Sequence, residues 1–305
     1  MINLQETGVD IGKAKKTHQD FFVCYILSRL TKEAKCKKYL TSFPKKTKIH
    51  NADTFPFITN YIITNLLEIL SGLPSDLEGL QIDFETKLDA EISRIYIDES
   101  FEVICDKRKD TITDLTSIID YQGFFIKLEP RDDYSAYHLA KNLDVRSCVY
   151  CNRVFTITHN TKLKEKLMRP QFDHWFPKSD FPLLALSFFN LIPSCTHCNS
   201  SVKGNMVLDL NKHIHPYIEE EDDSFKFTYH YYNTLDEFEV SILKKGRGTK
   251  YKATLELLKI DEMYTSHQYE IKDLLKLRKA YTFEYLDKLK SSFKDANLTD
   301  EELYR

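Results

Sequence analysis

Two Cys-x-x-Cys pairs, Cys148/Cys151 and Cys195/Cys198, constrain the fold of this chain more than any other sequence feature. A two-residue gap lets both thiolates of a pair reach one tetrahedral ion, and two such pairs complete a four-cysteine zinc site. Such a site is structural, because no coordination position stays open. The stretch between the pairs is longer than in an ordinary zinc ribbon, so a further element is inserted there. Four unligated cysteines and a thioredoxin-like redox pair are the alternatives, but redox chemistry would usually need one pair in a strand-to-helix context rather than two.

Hydrophobic periodicity divides the chain into three regions. Residues 1–145 carry apolar residues at helical spacing and form a helical N-terminal region, with helices expected at 18–41, 55–73, 77–97, 111–126 and 134–143. Residues 146–215 contain the cysteine pairs and a β-branched, strand-like segment at 154–158. Residues 216–305 begin with two strand-like segments, 225–232 and 238–243, and return to a helical pattern in the tail. The sequence therefore predicts an α+β fold that is mainly helical.

Charge is distributed unevenly along the chain. The net charge is −3, from 43 basic and 46 acidic residues, which taken alone argues against a general nucleic-acid binder. Residues 146–215, however, hold nine Lys and Arg against four Asp and Glu, whereas residues 65–145 hold eight against 18. We expect the basic block to contact nucleic acid and the acidic block to contact a protein, because acidic groups repel phosphates.

The sequence predicts a cytoplasmic protein without membrane attachment. No apolar run approaches the roughly 20 residues that a membrane-spanning helix needs. The first 17 residues carry charge but lack the apolar core of a secretory signal.

The candidate catalytic residues lie between the cysteine pairs and directly after the second pair. Asp173 and His174 are adjacent, Asn190 follows, and Asn199 comes directly after the second pair. In an extended segment adjacent side chains point to opposite faces, so one can bind a metal while the other faces a substrate. An asparagine supplies a neutral carbonyl oxygen, which suits a hard cation or the pinning of a loop. The alternative is that Asp173 and His174 are an incidental surface pair.

These parts come in a characteristic order: Asp-His, then Asn-Leu, then Cys-x-x-Cys-Asn with a lysine four residues later. This order resembles the signature of HNH endonucleases and covers residues 146–205. The sequence at 148–153, 177–179 and 184–195 is similar to nuclease subunits of Septu-type and retron-associated bacterial anti-phage systems, which work beside an ATPase. The resemblance implies a small ββα-metal core with a structural zinc site at 146–215, embedded in a mainly helical chain.

The resemblance also implies a role for each residue of the signature. His174 is the general base that deprotonates water, and Asn190 orients the loop that holds it. Asp173 and Asn199 ligate the catalytic divalent ion. Other versions of the signature end in histidine rather than Asn199, and an oxygen ligand favours Mg²⁺, with Mn²⁺ as the alternative.

The function predicted in this way is metal-dependent hydrolysis of phosphodiester bonds, with DNA favoured over RNA, as the effector of an anti-phage system with an ATPase partner. Basic side chains would contact phosphates without choosing a base sequence. They are Arg146, Arg153, Lys162, Lys164, Lys166, Arg169, Lys178 and Lys203, of which Arg153, Lys178 and Lys203 are the principal candidates. Two alternatives stay open: an RNase, for example one that cleaves tRNA, on the same core, and a non-catalytic zinc-ribbon module that binds nucleic acid.

Overall fold

The computed structural model describes residues 4, 8–31, 39, 43, 48–218, 225–232, 237–244 and 249–292. The chain divides into two compact units, Met1–Glu221 and Asp222–Arg305. Both units combine helices with small sheets, and each sheet in the described part of the chain has two strands. This confirms a mixed, mainly helical chain. The predicted boundary between residues 145 and 146 lies within the first unit.

The first unit begins with a series of helices. They are α1 (Ile11–Leu30), α2 (Phe55–Ser71), α3 (Pro74–Ile95), α4 (Phe101–Ile118) and α5 (Ala136–Leu143). Local sequence explains several of their starts. The Asp10 side chain accepts a hydrogen bond from the Lys13 amide at 2.8 Å and caps α1. Pro74 occupies the first position of α3, where its missing N–H costs nothing.

The predicted helices at 55–73 and 77–97 are confirmed to within three residues at each end. The helix predicted at 18–41 instead starts at Ile11 and ends at Leu30, and residues 32–38 lie outside the described part of the chain. The helix predicted at 111–126 is wrong in its bounds, because α4 ends at Ile118. The Asp120 side chain then accepts from the Gly123 amide and starts a separate π-helical turn, Tyr121–Phe125.

An aromatic cluster fixes α1 against this π-helical turn. Tyr25 stacks on Phe124 with ring centroids 3.9 Å apart, and Phe22 meets Phe125 edge-on at 5.1 Å. All four side chains are buried, and burial of each contributes about 1.5–3 kcal/mol relative to exposure. The cluster therefore anchors the turn that comes before the cysteine region.

Two short antiparallel strand pairs lie in the cysteine region. They are β1 (His159–Asn160) with β2 (Lys166–Met168), and β3 (Gln171–His174) with β4 (Leu191–Ser194). In the second pair Asp173 lies opposite Ile192, and a helical segment, His197–Lys203, follows β4 and packs against β3. The strand predicted at 154–158 is wrong, because Phe155 makes only an isolated bridge to Ser147.

The N-terminal helices hold the loop between β3 and β4. His18 of α1 is completely buried, and its Nε2 donates to the Leu186 carbonyl at 2.8 Å while its Nδ1 accepts from the Tyr134 hydroxyl. The Ser187 hydroxyl donates to the Ile69 carbonyl of α2. Burial lowers the pKa of His18 to about 4, so this histidine is a neutral structural link. The helical region and the cysteine region therefore share one core.

The second unit is a β-hairpin followed by helices. Strand β5 (Phe225–Tyr232) pairs with β6 (Glu237–Lys244) over eight residues, which confirms the predicted strand pair. The helices are α6 (Thr249–Leu257), α7 (Ile260–Tyr264), α8 (Gln268–Ala280) and α9 (Phe283–Ser292), which confirms the helical tail.

Among the helices of the described ranges, none combines the length and the apolar character that crossing a lipid bilayer requires.

Candidate metal centre and active site

The four paired cysteines come together in one buried cluster. The sulfur atoms of Cys148, Cys151, Cys195 and Cys198 all lie within 4.8 Å of one another, and none of the four forms a disulfide bond. A tetrahedral zinc with Zn–S bonds of about 2.3 Å would separate the sulfurs by about 3.8 Å. The donor set and its spacing therefore fit zinc, as the Cys-x-x-Cys pairs predict.

Both cysteine pairs are attached to the β3–β4 strands. In the first pair, the Cys148 amide donates to the Val154 carbonyl at 2.9 Å and closes a turn around the two thiols. The Val149 amide donates to the Pro193 carbonyl of β4 at 3.2 Å. The second pair directly follows β4, where the Cys198 amide donates to the Cys195 sulfur at 3.4 Å. A metal bound here would hold these segments together.

The Asp173 carboxylate lies beside this cluster and is buried, with 3% of the residue exposed. Its Oδ2 accepts a hydrogen bond from the Tyr150 hydroxyl at 2.6 Å. The Lys203 ammonium lies 3.3 Å from Oδ1 and 3.2 Å from Oδ2. Burial raises the pKa of the Asp173 carboxyl to about 6, although Lys203 and Tyr150 both favour the carboxylate.

His174 is held in one tautomer by a backbone carbonyl. Its Nε2 lies 3.0 Å from the Ala185 oxygen, which can only accept, so Nε2 carries the hydrogen and Nδ1 keeps the lone pair. Burial lowers the pKa of His174 to about 3, so the ring is neutral at neutral pH. The ring also meets Tyr121 edge-on at 4.5 Å. The tautomer leaves the Nδ1 lone pair as the proton acceptor, but a ring with so low a pKa is a weak base.

Asn190 pins the loop that contains Ala185. Its Oδ1 accepts from the Phe176 amide at 2.7 Å, and its Nδ2 donates to the carbonyls of Phe176 and Leu184 at 3.1 and 2.9 Å. The side chain is completely buried. Asn190 thus attaches the loop at Leu184, the residue before Ala185, whose carbonyl fixes His174. The predicted role of Asn190 in orienting the loop requires contacts of this kind.

Asn199 lies over the same face of β3 as Asp173. Its Nδ2 donates to the Gln171 Oε1 at 2.8 Å, and Gln171 and Asp173 are two residues apart on the strand. Because the amide nitrogen makes this bond, the carbonyl oxygen is the atom of Asn199 that can meet a cation.

A cleft of about 1090 Å³ lies next to these residues. Asp173, His174 and Asn199 all line it, and the end of α4 with the following π-helical turn forms another part of its wall. The tertiary structure therefore brings the three residues of the predicted site to one solvent-accessible space. The sequence did not predict the contribution of α4.

The basic residues predicted to contact phosphates are placed very differently from one another. Lys178 is exposed and lines the cleft, whereas Arg153 is exposed on the first cysteine turn and does not line it. Lys203 differs most from its predicted role, because it is 1% exposed and its ammonium lies on Asp173. Lys166 pairs with Glu129 at 3.3 Å.

Arg169 also lines the cleft, although the sequence did not single it out among the basic residues. It is half-buried and lines the cleft, with its guanidinium 5.7 Å from the ring centroids of both Tyr137 and Phe172. Burial lowers the pKa of Arg169, although the group stays charged at neutral pH. Packing between two rings holds the guanidinium in place, so it can meet an anion with little further loss of entropy.

Comparisons of the chain with protein-family models, with curated proteins and with solved structures return no match. The resemblance to HNH endonucleases therefore rests on the residues themselves and stays a prediction.

Replacing Asn190 by alanine tests the role of the pinned loop. The buried Phe176 amide loses its acceptor, which is expected to cost roughly 1–3 kcal/mol of stability. If the site has the activity proposed below, the rate per folded molecule falls about tenfold, because the carbonyl that orients His174 loses its support. Chemical unfolding and a cleavage assay measure the two effects.

The matched control for this variant is Asn51→Ala. Asn51 is also buried, and its Nδ2 donates to the Thr111 hydroxyl at 3.1 Å and to the Lys107 carbonyl at 3.3 Å. It lies outside the cleft lining, so we expect a similar loss of stability with an unchanged rate per folded molecule. Equal rates in the two variants would contradict the role of Asn190 in the site.

Proposed function

We propose that this chain is a divalent-metal-dependent endonuclease whose active site is the cleft lined by Asp173, His174 and Asn199. One observation carries the proposal: a neutral histidine with an oriented Nδ1 lone pair lines the same cleft as a buried carboxylate. Strands β3 and β4 with the helical segment 197–203 would form the ββα-metal core, with the cysteine cluster as its structural zinc site. A binding module would have no need of this pair.

In the proposed reaction, the Nδ1 atom of His174 takes a proton from water, and the water oxygen attacks phosphorus. The bond to the 3′ oxygen breaks, and this oxygen takes a proton from solvent. A divalent ion held by Asp173 and Asn199 would neutralise the charge that develops on the phosphate oxygens. The Ala185 carbonyl keeps a hydrogen of His174 on Nε2 throughout, so Nδ1 is the nitrogen that accepts the proton.

The donor set favours a hard cation. Asp173 supplies a carboxylate oxygen and Asn199 an amide oxygen, which Mg²⁺ and Mn²⁺ accept and softer metals disfavour. The Lys203 ammonium already lies on the Asp173 carboxylate, so a bound ion would share this carboxylate with it. We therefore expect a weakly held ion that keeps several of its waters, with Mg²⁺ favoured over Mn²⁺.

Arg169 and Lys178 are the basic side chains that line the cleft, and we propose that they contact substrate phosphates. Contacts to phosphates give affinity without a choice of sequence, so cleavage is expected to show little sequence preference. The acidic stretch 65–145 suits a protein partner instead, in keeping with an ATPase subunit of an anti-phage system.

The test is a cleavage assay on the full zinc-loaded chain, freed of loosely bound ions by gel filtration. Plasmid, single-stranded DNA and total tRNA are incubated with Mg²⁺, with Mn²⁺ or without added divalent ion, and zinc content is measured afterwards. We expect DNA to be cut only when Mg²⁺ or Mn²⁺ is added, with zinc content unchanged.

The other outcomes separate the alternatives. Cleavage of tRNA alone would identify the RNase, and binding of nucleic acid without any cleavage would identify the zinc-ribbon module. Cleavage that proceeds equally well without added divalent ion would contradict the proposed mechanism.

A further inference from the structure

The Asp173 carboxylate is held by a side chain from inside the first cysteine pair. Tyr150 stands between Cys148 and Cys151, and its hydroxyl donates to Asp173 Oδ2 at 2.6 Å. Both partners are buried. A short hydrogen bond from a buried hydroxyl to a carboxylate is among the stronger kinds in proteins, and its direction is fixed by the ring of the tyrosine.

A second support for Asp173 comes from the segment that follows the other cysteine pair. Lys203 lies five residues after Cys198, at the end of the helical segment 197–203. Its buried ammonium lies within 3.3 Å of both Asp173 oxygens and donates to the His174 carbonyl at 2.8 Å. One lysine therefore ties the carboxylate and the end of strand β3 to the second cysteine pair.

These two supports have a common origin. Tyr150 and Lys203 belong to different segments, and the two segments meet at the four-cysteine cluster. Besides the Val149–Pro193 hydrogen bond and the packing of segment 197–203 on β3, the cluster is the link that holds residues 150 and 203 beside the same carboxylate. With it, the Asp173 side chain is fixed from two directions before any ion or substrate arrives.

We propose that the four-cysteine centre positions Asp173 through Tyr150 and Lys203, so that bound zinc sets the geometry of the active site as well as the stability of the fold. Tyr150 and Lys203 are then positioning residues, and Lys203 does not contact phosphate. This inference rests on the proposed function, in which Asp173 holds the divalent ion.

The first test is Tyr150→Phe, which removes one hydroxyl and keeps the ring. Partners that orient a metal-binding carboxylate typically contribute roughly 10- to 100-fold to metal affinity or activity, and we expect a loss of this size in Mn²⁺ affinity. Electron paramagnetic resonance of free Mn²⁺ measures the affinity, and zinc content and melting temperature verify the fold. The control is Tyr96→Phe, since Tyr96 also donates from its hydroxyl to a carboxylate, the exposed Asp53 Oδ2, at 2.8 Å.

The second test is Lys203→Met, which keeps the length of the side chain and removes its charge. Positioning predicts a kcat that is lower by roughly 10- to 100-fold at saturating Mn²⁺, with an unchanged KM for DNA. A phosphate contact predicts the opposite: an unchanged kcat, a raised KM and a salt dependence weakened by a slope of about one. If Tyr150→Phe fails to retain zinc, the kcat and KM of Lys203→Met still test the positioning role.

An Asp173→Asn variant separates the two proposals. If it binds Mn²⁺ like the parent chain, Asp173 does not hold the ion and the proposed function fails. If it loses Mn²⁺ while Tyr150→Phe binds and cleaves like the parent, the proposed function stands and the positioning role is overturned. Loss of Mn²⁺ affinity in both variants, with Tyr96→Phe unchanged, supports the inference.

Discussion

Replacing His174 by alanine is expected to lower the cleavage rate about 10²- to 10⁴-fold, which is the usual contribution of a general base. The physical reason is specific to the Nδ1 atom, whose lone pair is the one not engaged by the Ala185 carbonyl. Water alone is a poor nucleophile, and without a proton acceptor at this position its attack on phosphorus loses its driving force. Single-turnover cleavage of plasmid, normalised to folded and zinc-loaded protein, measures the effect.

The control for this prediction is His215→Ala. His215 is also buried, its pKa is lowered by burial to about 3, and its ring packs 4.6 Å from Trp175. It does not line the cleft, so the variant is expected to lose stability but not activity per folded molecule. A His174→Ala variant that cleaves at the parent rate would remove His174 as the base.

Replacing Cys195 by serine is expected to destabilise the cysteine region. Structural zinc in small sites contributes about 10–16 kcal/mol of binding free energy, which is as large as the net stability of a whole domain, about 5–15 kcal/mol. Loss of one of four sulfurs should reduce zinc from one ion per chain to a small fraction and lower the melting temperature by roughly 10 °C or more. Calorimetry and metal analysis by mass spectrometry measure both quantities.

Cys105→Ser is the matched control, because Cys105 is an exposed free thiol on α4. An exposed substitution of this kind usually changes stability by no more than about 0.5 kcal/mol. The zinc interpretation fails if Cys195→Ser retains zinc and has the same melting temperature as Cys105→Ser.

Much of the secondary structure could be predicted because local patterns determine it. Helices α2 and α3 follow apolar residues at helical spacing and are bounded by Gly72 and Pro74. The hairpin of the second unit follows its β-branched and aromatic residues. One prediction failed where a side chain competes with the backbone pattern, at Asp120, whose carboxylate accepts from the Gly123 amide and caps a separate turn.

The support of the loop between β3 and β4 could not be predicted from the sequence. His18 reaches the Leu186 carbonyl across 168 positions, and Ser187 reaches Ile69 across 118. No local pattern marks either contact, because each depends on how whole helices pack. Nothing in the sequence distinguished His18 from the other histidines that do not belong to the motif.

The sequence by itself determined the four cysteines of the cluster and the adjacent Asp173 and His174, because a two-residue gap and a strand repeat are short-range geometry. Only the tertiary structure decided where each basic residue lies and what it contacts. A lysine in solvent is free to meet phosphate, but Lys203 is buried and its charge must be paired, which the Asp173 carboxylate provides. Arg169 is held beside the cleft by two aromatic rings. Burial and pairing depend on which segments the fold brings together, and spacing along the chain does not encode them.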